Sequence, residues 1–355
     1  MLTIRHFWRG VDVALPRTWS FHDSMAARAD VKYYLHVIGP YTGPRDDLRR
    51  SYVGRPDFWR RRRGPEVWIV RSWDHPLIST AAVCAHLRGI PLLMWGERPG
   101  YTYEARTVRD AARIRLRKAL LPILFLPYRR CTLLLGTGER AVSDFCGLAG
   151  HTRARVFVYP DHVADACLDL PFKAPADPLL LLYVGSFIRR KAIDLMIAAC
   201  ESAWQAGAAF RIRYVGDGPL RGELESHRSR AAGAVEVCPF ATGDALQEHY
   251  RAADGVLLAS RHDGWGLTVH EGLARGVPVL VSDACGSADL VRRSGCGRVF
   301  PAGDMAALAD VLRWWAALRP AETTAMGAAG RDLARTLTVP ELVEGLVTHC
   351  RKAVA

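Results

Sequence analysis

Short apolar runs alternate along this chain with longer stretches whose apolar positions recur at helical spacing. Val67–Val70, Ile90–Met94, Thr132–Leu135, Val156–Tyr159, Leu179–Val184, Phe210–Val215, Gly255–Ala259 and Val277–Val281 read as strands. Leu77–Leu87, Ala192–Gln205, Leu246–Ala253 and Met305–Leu318 read as helices between them. Such alternation predicts an α/β protein with parallel sheets covered by helices on both faces. Periodicity fades between Pro160 and Pro178, where Pro171 and Pro175 also fall, and a strongly apolar strand starts afresh at Leu179. The expected organisation is a first domain over 1–165, a linker over 166–178, a second domain over 179–330, and a helical end segment, 331–355, that returns to the first domain. In doubly wound domains ligands sit beyond the carboxyl ends of the strands.

The chain has 355 residues, half of them hydrophobic and 24% charged, enough for two cores and too apolar for wholesale disorder. Its net charge of +12 is uneven. Residues 1–160 hold 27 Lys and Arg against 13 Asp and Glu, whereas 161–355 hold 21 against 23. A basic half implies an anionic partner, whether nucleic acid, a membrane surface or a phosphorylated substrate, unless an arginine-favouring genome accounts for it. No recognised nucleic-acid module accompanies the charge. The nine cysteines are scattered, without a C-x-x-C pair or a metal-ligand cluster, and read as buried thiols of a reducing compartment. Met1–Arg9 lacks the apolar core of a signal peptide, and no apolar stretch approaches the length of a membrane span. These features predict a cytoplasmic protein, attached at most to the inner membrane face.

Three segments carry candidate chemistry. In Tyr183-Val-Gly-Ser-Phe-Ile-Arg-Arg-Lys191 a strand ends at Gly185, and Arg189, Arg190 and Lys191 precede a helix. Cations before a helix start make a phosphate site, although a basic loop is more often simply solvated. Tyr214-Val-Gly-Asp-Gly-Pro219 is a strand followed by a tight turn through Gly216, Asp217 and Gly218, on whose backbone a nucleotide can lie. The third, Asp263-Gly-Trp-Gly266, opens a helix that stops at Gly276. Gly264 and Gly266 leave backbone N–H groups bare where a pyrophosphate gains hydrogen bonds and the helix dipole. Glu271, just over one turn in, suits the vicinal diol of a ribose, and Asp263 suits another hydroxylated ring.

At these residues the sequence resembles the retaining glycosyltransferases of family 4, known also as glycosyltransferase group 1. The resemblance rests on Asp263 and Glu271 with seven residues between them, Ala274-Arg-Gly-Val-Pro-Val279, the run from Val184 to Lys191, Val215–Pro219, and the continuations Ser282–Val291 and Gly295–Pro301. It implies the GT-B fold, two Rossmann-like β/α/β domains facing across a central cleft. It also implies a UDP- or GDP-sugar as donor, a glycan or lipid-linked acceptor, retention of anomeric configuration, no metal, and a role in bacterial surface polysaccharide or glycoconjugate synthesis. Lys191, with Arg190 beside it, would neutralise the donor diphosphate. Glu271 would bind the ribose, Asp263 the transferred sugar, and the backbone of Gly264, Trp265, Gly266 and Leu267 the diphosphate and sugar. Val237–Phe240 would border the base, with Phe240 at its end. The chain departs from the family at Asp263, where Glu is usual, and at Ser186, where Arg is usual; Arg189 or Arg190 stands in for the missing cation.

The first half matches only loosely. Glu97 follows the strand Ile90–Met94 and is a candidate for contacting acceptor or donor sugar, or else a turn residue. Gly136-Thr-Gly-Glu-Arg140 likewise ends a strand. Arg106, Arg109, Arg113, Arg115, Arg117 and Lys118 precede an apolar run to Tyr128 that Arg129 and Arg130 close, a pattern shared by membrane-surface helices and by core helices with a solvated flank. Arg60–Arg63 form a second basic run, and Trp8, Trp19, Trp59 and Trp73 are either core or sugar-stacking residues. Two other functions fit the donor motifs: an NDP-sugar epimerase on the same fold, and a non-catalytic sugar-nucleotide binder.

Overall fold

A computed structural model describes residues 1–9, 16–38, 64–71, 75–97, 108–150, 154–156, 162–171, 174–231 and 233–355. The basic run Arg60–Arg63, together with Trp59, Trp73, Arg106 and residues 157–159 of an expected strand, lies outside them. The chain divides into two compact units, one made of Met1–His162 and Leu337–Ala355, the other of Val163–Thr336.

The first unit is built on a parallel sheet of β1 (Leu2–Arg9), β2 (Val31–Ile38), β3 (Glu66–Arg71), β4 (Leu92–Gly96), β5 (Leu133–Gly136) and β6 (Ala154–Val156), in the order β2-β1-β3-β4-β5-β6. Helices α1 (Pro16–Ala26), α2 (Pro76–Leu87), α3 (Val108–Leu124) and α4 (Glu139–Ala149) belong to the same unit. Phe7, Trp68, Val70, Met94 and Leu134 form one face of its core with Ile78, Ala81 and Ala85 of α2 and Phe145 of α4.

β1 and β2 carry polar residues inside the fold, so their strand pattern is masked in the sequence. Arg5, His6 and His36 are buried. The Arg5 guanidinium lies 4.8 Å from the Trp68 ring centroid and donates to His36 Nε2 at 3.0 Å. The Tyr33 hydroxyl bonds His6 Nδ1 at 2.9 Å and His22 Nδ1 at 2.6 Å. Stacking and hydrogen bonds thus offset part of the hydration these groups lose.

The second unit has the order β12-β11-β10-β7-β8-β9, all parallel. In chain order its elements are β7 (Leu179–Val184), α5 (Ile193–Gln205), β8 (Phe210–Val215), α6 (Arg221–Arg230), β9 (Val235–Cys238), α7 (Gly243–Ala252), β10 (Gly255–Leu258), α8 (Leu267–Arg275), β11 (Val279–Ser282), α9 (Ala288–Ser294), β12 (Gly297–Phe300), α10 (Met305–Ala316) and α11 (Pro320–Arg335). β7 is central and covered on both faces, which is why it reads as an unbroken apolar run. The strand order reverses between β7 and β10, so their following connections leave toward opposite faces and open a crevice at the strand ends.

Several boundaries differ from expectation. β11 starts at Val279 rather than Val277: Gly276 takes a left-handed C-cap, Val277 N–H bonds back to Gly272 O at 3.2 Å, and Pro278 has no N–H to give. The segment 166–178 is not a free linker. It lies within the second unit, where Cys167 and Leu168 are buried, Arg331 donates to Leu170 O at 2.7 Å, and Asp254 accepts from Ala176 N–H at 3.2 Å. The end segment also begins later than 331, because α11 runs through that position to Arg335. The last helix, α12 (Val339–Val354), belongs to the first unit, where it packs on α1 and β3. Arg28 clamps it by bonding Asp30 and, at 2.6 Å, Glu344.

Candidate functional site

The three motifs of the second unit converge at the carboxyl ends of β7, β8 and β10. The loops after β7 and β8 are laced by backbone hydrogen bonds: Gly185 N–H to Val215 O at 3.0 Å, Phe187 N–H to Asp217 O at 2.8 Å, and Leu220 N–H to Phe187 O at 3.0 Å. The approach is so close that only glycine fits at Gly216. A Cβ there would lie 2.0 Å from the Gly185 carbonyl oxygen.

Across the switch point, the loop after β7 is tied to the loop after β10. Arg261 N–H donates to Arg190 O at 2.9 Å, and Arg190 Nη1 to His262 O at 3.0 Å. Arg261 also reaches Arg189 O at 2.6 Å and grips Asp194 with two bonds of 2.8 Å. The Lys191 ammonium forms an ion pair with Asp263 Oδ2. Both side chains are only about one-sixth exposed, so this pair is screened less than a surface pair. Asp263 itself is held by backbone bonds to the loop after β11, with Ala284 O and Gly286 N–H each at 3.2 Å.

Gly266 caps α8 in the left-handed region, with φ 87°, where a Cβ would sit 2.6 Å from Leu258 Cδ2. The carboxylate of Glu271 is buried and accepts a hydrogen bond from the hydroxyl of Tyr250, at the end of α7. Trp265 is buried, and its indole Nε1 has no hydrogen-bond partner among the described residues. Burial, and after it the charge of Asp263, pushes the Cys285 thiol up to about 12, which keeps it a thiol rather than a nucleophilic thiolate at neutral pH.

The structure brings Gly185, Arg190, Lys191, Gly216, Asp263 and the start of α8 together, with Glu271 farther along that helix. Ser186 is exposed on the same loop. Asp217 turns outward, accepting from Gly218 N–H at 2.8 Å, and Phe240 is exposed just past β9. Glu97 is in the other unit, exposed immediately after β4. Among the described residues no group of three or more His, Cys, Asp or Glu is placed to hold a metal ion, and no helix is long and apolar enough to cross a membrane.

Sequence reasoning missed Tyr250 and Arg261. Tyr250 looks like an ordinary apolar residue of an amphipathic helix, and Arg261 looks like one more solvated arginine. Only the fold shows that each touches a residue already singled out.

Known proteins resemble the chain in sequence and in architecture. Residues 178–317 match the family model described as glycosyl transferases group 1. D-inositol 3-phosphate glycosyltransferase of Kineococcus radiotolerans is 30% identical over an alignment covering 98% of this chain and 87% of that protein. The putative colanic acid biosynthesis glycosyltransferase WcaL of Escherichia coli K12 is 30% identical over 150 residues, 40% of this chain and 37% of that protein. Among solved structures, the lipopolysaccharide outer core galactosyltransferase WaaB superposes with a TM-score of 0.71 at 10% identity, covering 99% of both chains. Anabaena Alr3699/HepE in complex with UDP gives 0.68 at 12% identity, covering 99% of this chain and all of that one. Its two Rossmann-like units are those of the GT-B fold, and with a relative matched along nearly its full length the chain belongs to the glycosyl transferases group 1 family.

Proposed function

We propose that this glycosyltransferase takes a sugar from a UDP- or GDP-sugar and transfers it, with retention as in family 4, to a glycan or lipid-linked acceptor of surface polysaccharide synthesis. The observation that carries the reading is the Lys191–Asp263 ion pair at the switch point, flanked by the glycine-lined turns and by the N-terminus of α8.

As the glycosidic bond breaks, charge builds on the departing diphosphate. Arg190 and the first N–H groups of α8 are fixed in advance around that position, and Lys191 turns to it from its ion pair with Asp263, so only one side chain reorganises on the way to the transition state. These groups supply the positive charge without a metal ion, and a chelator should leave the rate unchanged. Asp263 accepts from hydroxyls of the transferred sugar when the diphosphate draws Lys191 away. Glu271, held by Tyr250, accepts from the ribose diol. Glu97 contacts the acceptor or donor sugar. The UDP carried by Alr3699/HepE and the colanic acid pathway of WcaL support the donor class and the biosynthetic setting.

A thermal-shift panel of nucleotide-sugars tests the donor, because a bound ligand stabilises by mass action. A UDP- or GDP-sugar should raise the melting temperature, and the anomeric proton of the product should match that of the donor. No shift with any nucleotide-sugar would sink the proposal. An epimerised donor formed without acceptor would favour an epimerase, and binding with neither transfer nor epimerisation a silent binder.

A further inference from the structure

We propose that the surface formed by α2, α3 and the turn after α3 is a docking face for an anionic phospholipid surface. Eleven large apolar side chains are exposed among the described residues, and eight of them fall here: Leu77, Val83 and Leu87 on α2, Leu116, Leu120, Ile123 and Leu124 on α3, and Leu126 in the turn. Leu87 is 75% exposed, Leu116 61% and Ile123 60%.

Scattered apolar surface is ordinary, but concentration on adjoining elements is not. On α3 the spacing 116, 120, 123, 124 places the four on one stripe of a helix. The turn Leu126–Tyr128 is fastened to α2 by His86 Nε2 with Pro127 O at 2.7 Å and Ser79 Oγ with Tyr128 Oη at 3.1 Å. The turn therefore fastens the end of α3 to α2, the helix that carries Leu77, Val83 and Leu87.

The charge around the stripe selects its occupant. Arg113 and Arg115 are exposed toward one end, and Arg129 and Arg130 are exposed past the other. Between Ala111 and Gly138 the sequence has six Lys and Arg and no Asp or Glu. Flexible aliphatic side chains bordered by arginines, with no acid among them, match the acyl boundary of a bilayer beneath anionic headgroups. Pro122 inside α3 and the helix's modest length fit a helix lying on the surface rather than crossing it. This inference does not depend on the donor reading, but it would bring the enzyme to a lipid-linked acceptor.

Flotation of the purified chain with vesicles tests it. The chain should bind vesicles of equimolar phosphatidylglycerol and phosphatidylcholine, bind pure phosphatidylcholine far less, and be released as salt is raised. The pair Leu116→Glu with Ile123→Glu should weaken binding by at least about tenfold, and Arg113→Glu with Arg115→Glu should abolish the preference for phosphatidylglycerol. Both residue pairs are exposed, so melting temperature and any nucleotide-sugar shift should persist. The polar pair Leu116→Ser with Ile123→Ser should weaken binding too, without added charge. Absence of binding to phosphatidylglycerol vesicles would overturn the proposal. So would a dimer in light scattering that the leucine and isoleucine variants dissolve, since the face would then join two copies of the chain.

Discussion

Removing one hydroxyl, in Tyr250→Phe, tests whether the second unit reads a ribose. The Tyr250 hydroxyl is buried and donates to Glu271, a carboxylate with only 7% of its surface exposed. A hydrogen bond to a charged partner contributes about 1.5–3 kcal/mol, and leaving a buried acceptor short of a donor costs a similar amount. Phenylalanine fills nearly the same space, so no cavity term adds to the loss. Part of it should appear as a lower melting temperature. The rest should appear as lost orientation of Glu271 toward a diol, worth up to about tenfold in affinity if half of the energy falls on binding. The assay is calorimetric binding of UDP, or GDP if the donor panel selects it, beside its 2′,3′-dideoxy analogue. The parent protein should prefer the ribose form, and Tyr250→Phe should shrink that preference more than it weakens the dideoxy ligand. Glu271→Gln should nearly erase it. If Glu271→Gln erases the preference while Tyr250→Phe leaves it intact, Tyr250 does not position the carboxylate. If neither variant changes it, Glu271 does not meet the ribose.

Other outcomes follow from the same structure. Lys191→Ala should lower kcat/KM by about a hundredfold or more, since it removes a fixed cation from the leaving group; an unchanged value in a transfer assay would contradict its role. Gly216→Ala should cost at least about 2 kcal/mol, because its Cβ would collide with the Gly185 carbonyl, and a urea melt would report it. His270→Leu should raise the urea midpoint, as both ring nitrogens of this buried imidazole are without hydrogen-bond partners among the described residues. Burial holds His22 down to about 3 and His270 down to about 4, with Arg71 lowering His22 further, and it also lowers His6. Stability is unaffected by these rings above the unfolded value near 6.5, where they are neutral in both states, and falls as pH drops toward the folded values, by up to about 1.4 kcal/mol per pH unit for each imidazole. Urea midpoints at descending pH should drop accordingly, and a flat profile from neutral pH to mild acid would refute the burial of these rings.

The second unit was legible because its strands are covered on both faces and its turns are punctuated by glycine. Leu179–Val184 and Phe210–Val215 coincide with β7 and β8 to the residue. In the first unit β1 and β2 escaped notice, since Arg5, His6 and His36 interrupt the apolar signal although all three are buried. Short strands such as β12 expose much of their length and leave little pattern to read. At the site, residues that act through local spacing were visible, as with Asp263, Gly266 and Glu271. Partners supplied from other elements were not. Tyr250 meets Glu271 across 21 positions, and Arg261 meets Asp194 across 67. No local periodicity encodes contacts of that range.

The path of α12 bears on the order in which this protein is made. Units of a nascent chain usually mature from the amino end onward. Here the first unit is discontinuous, and the second is inserted within it. Val343, Leu346, Val347 and Cys350 of α12 are all buried, so the unit begun first lacks part of its core until the helix emerges. The second unit, continuous in the chain, can close before the unit that precedes it. Translation halted after Thr336 would leave a complete second unit joined to an incomplete first one, which quality-control proteases would recognise by its uncovered α1 and β3.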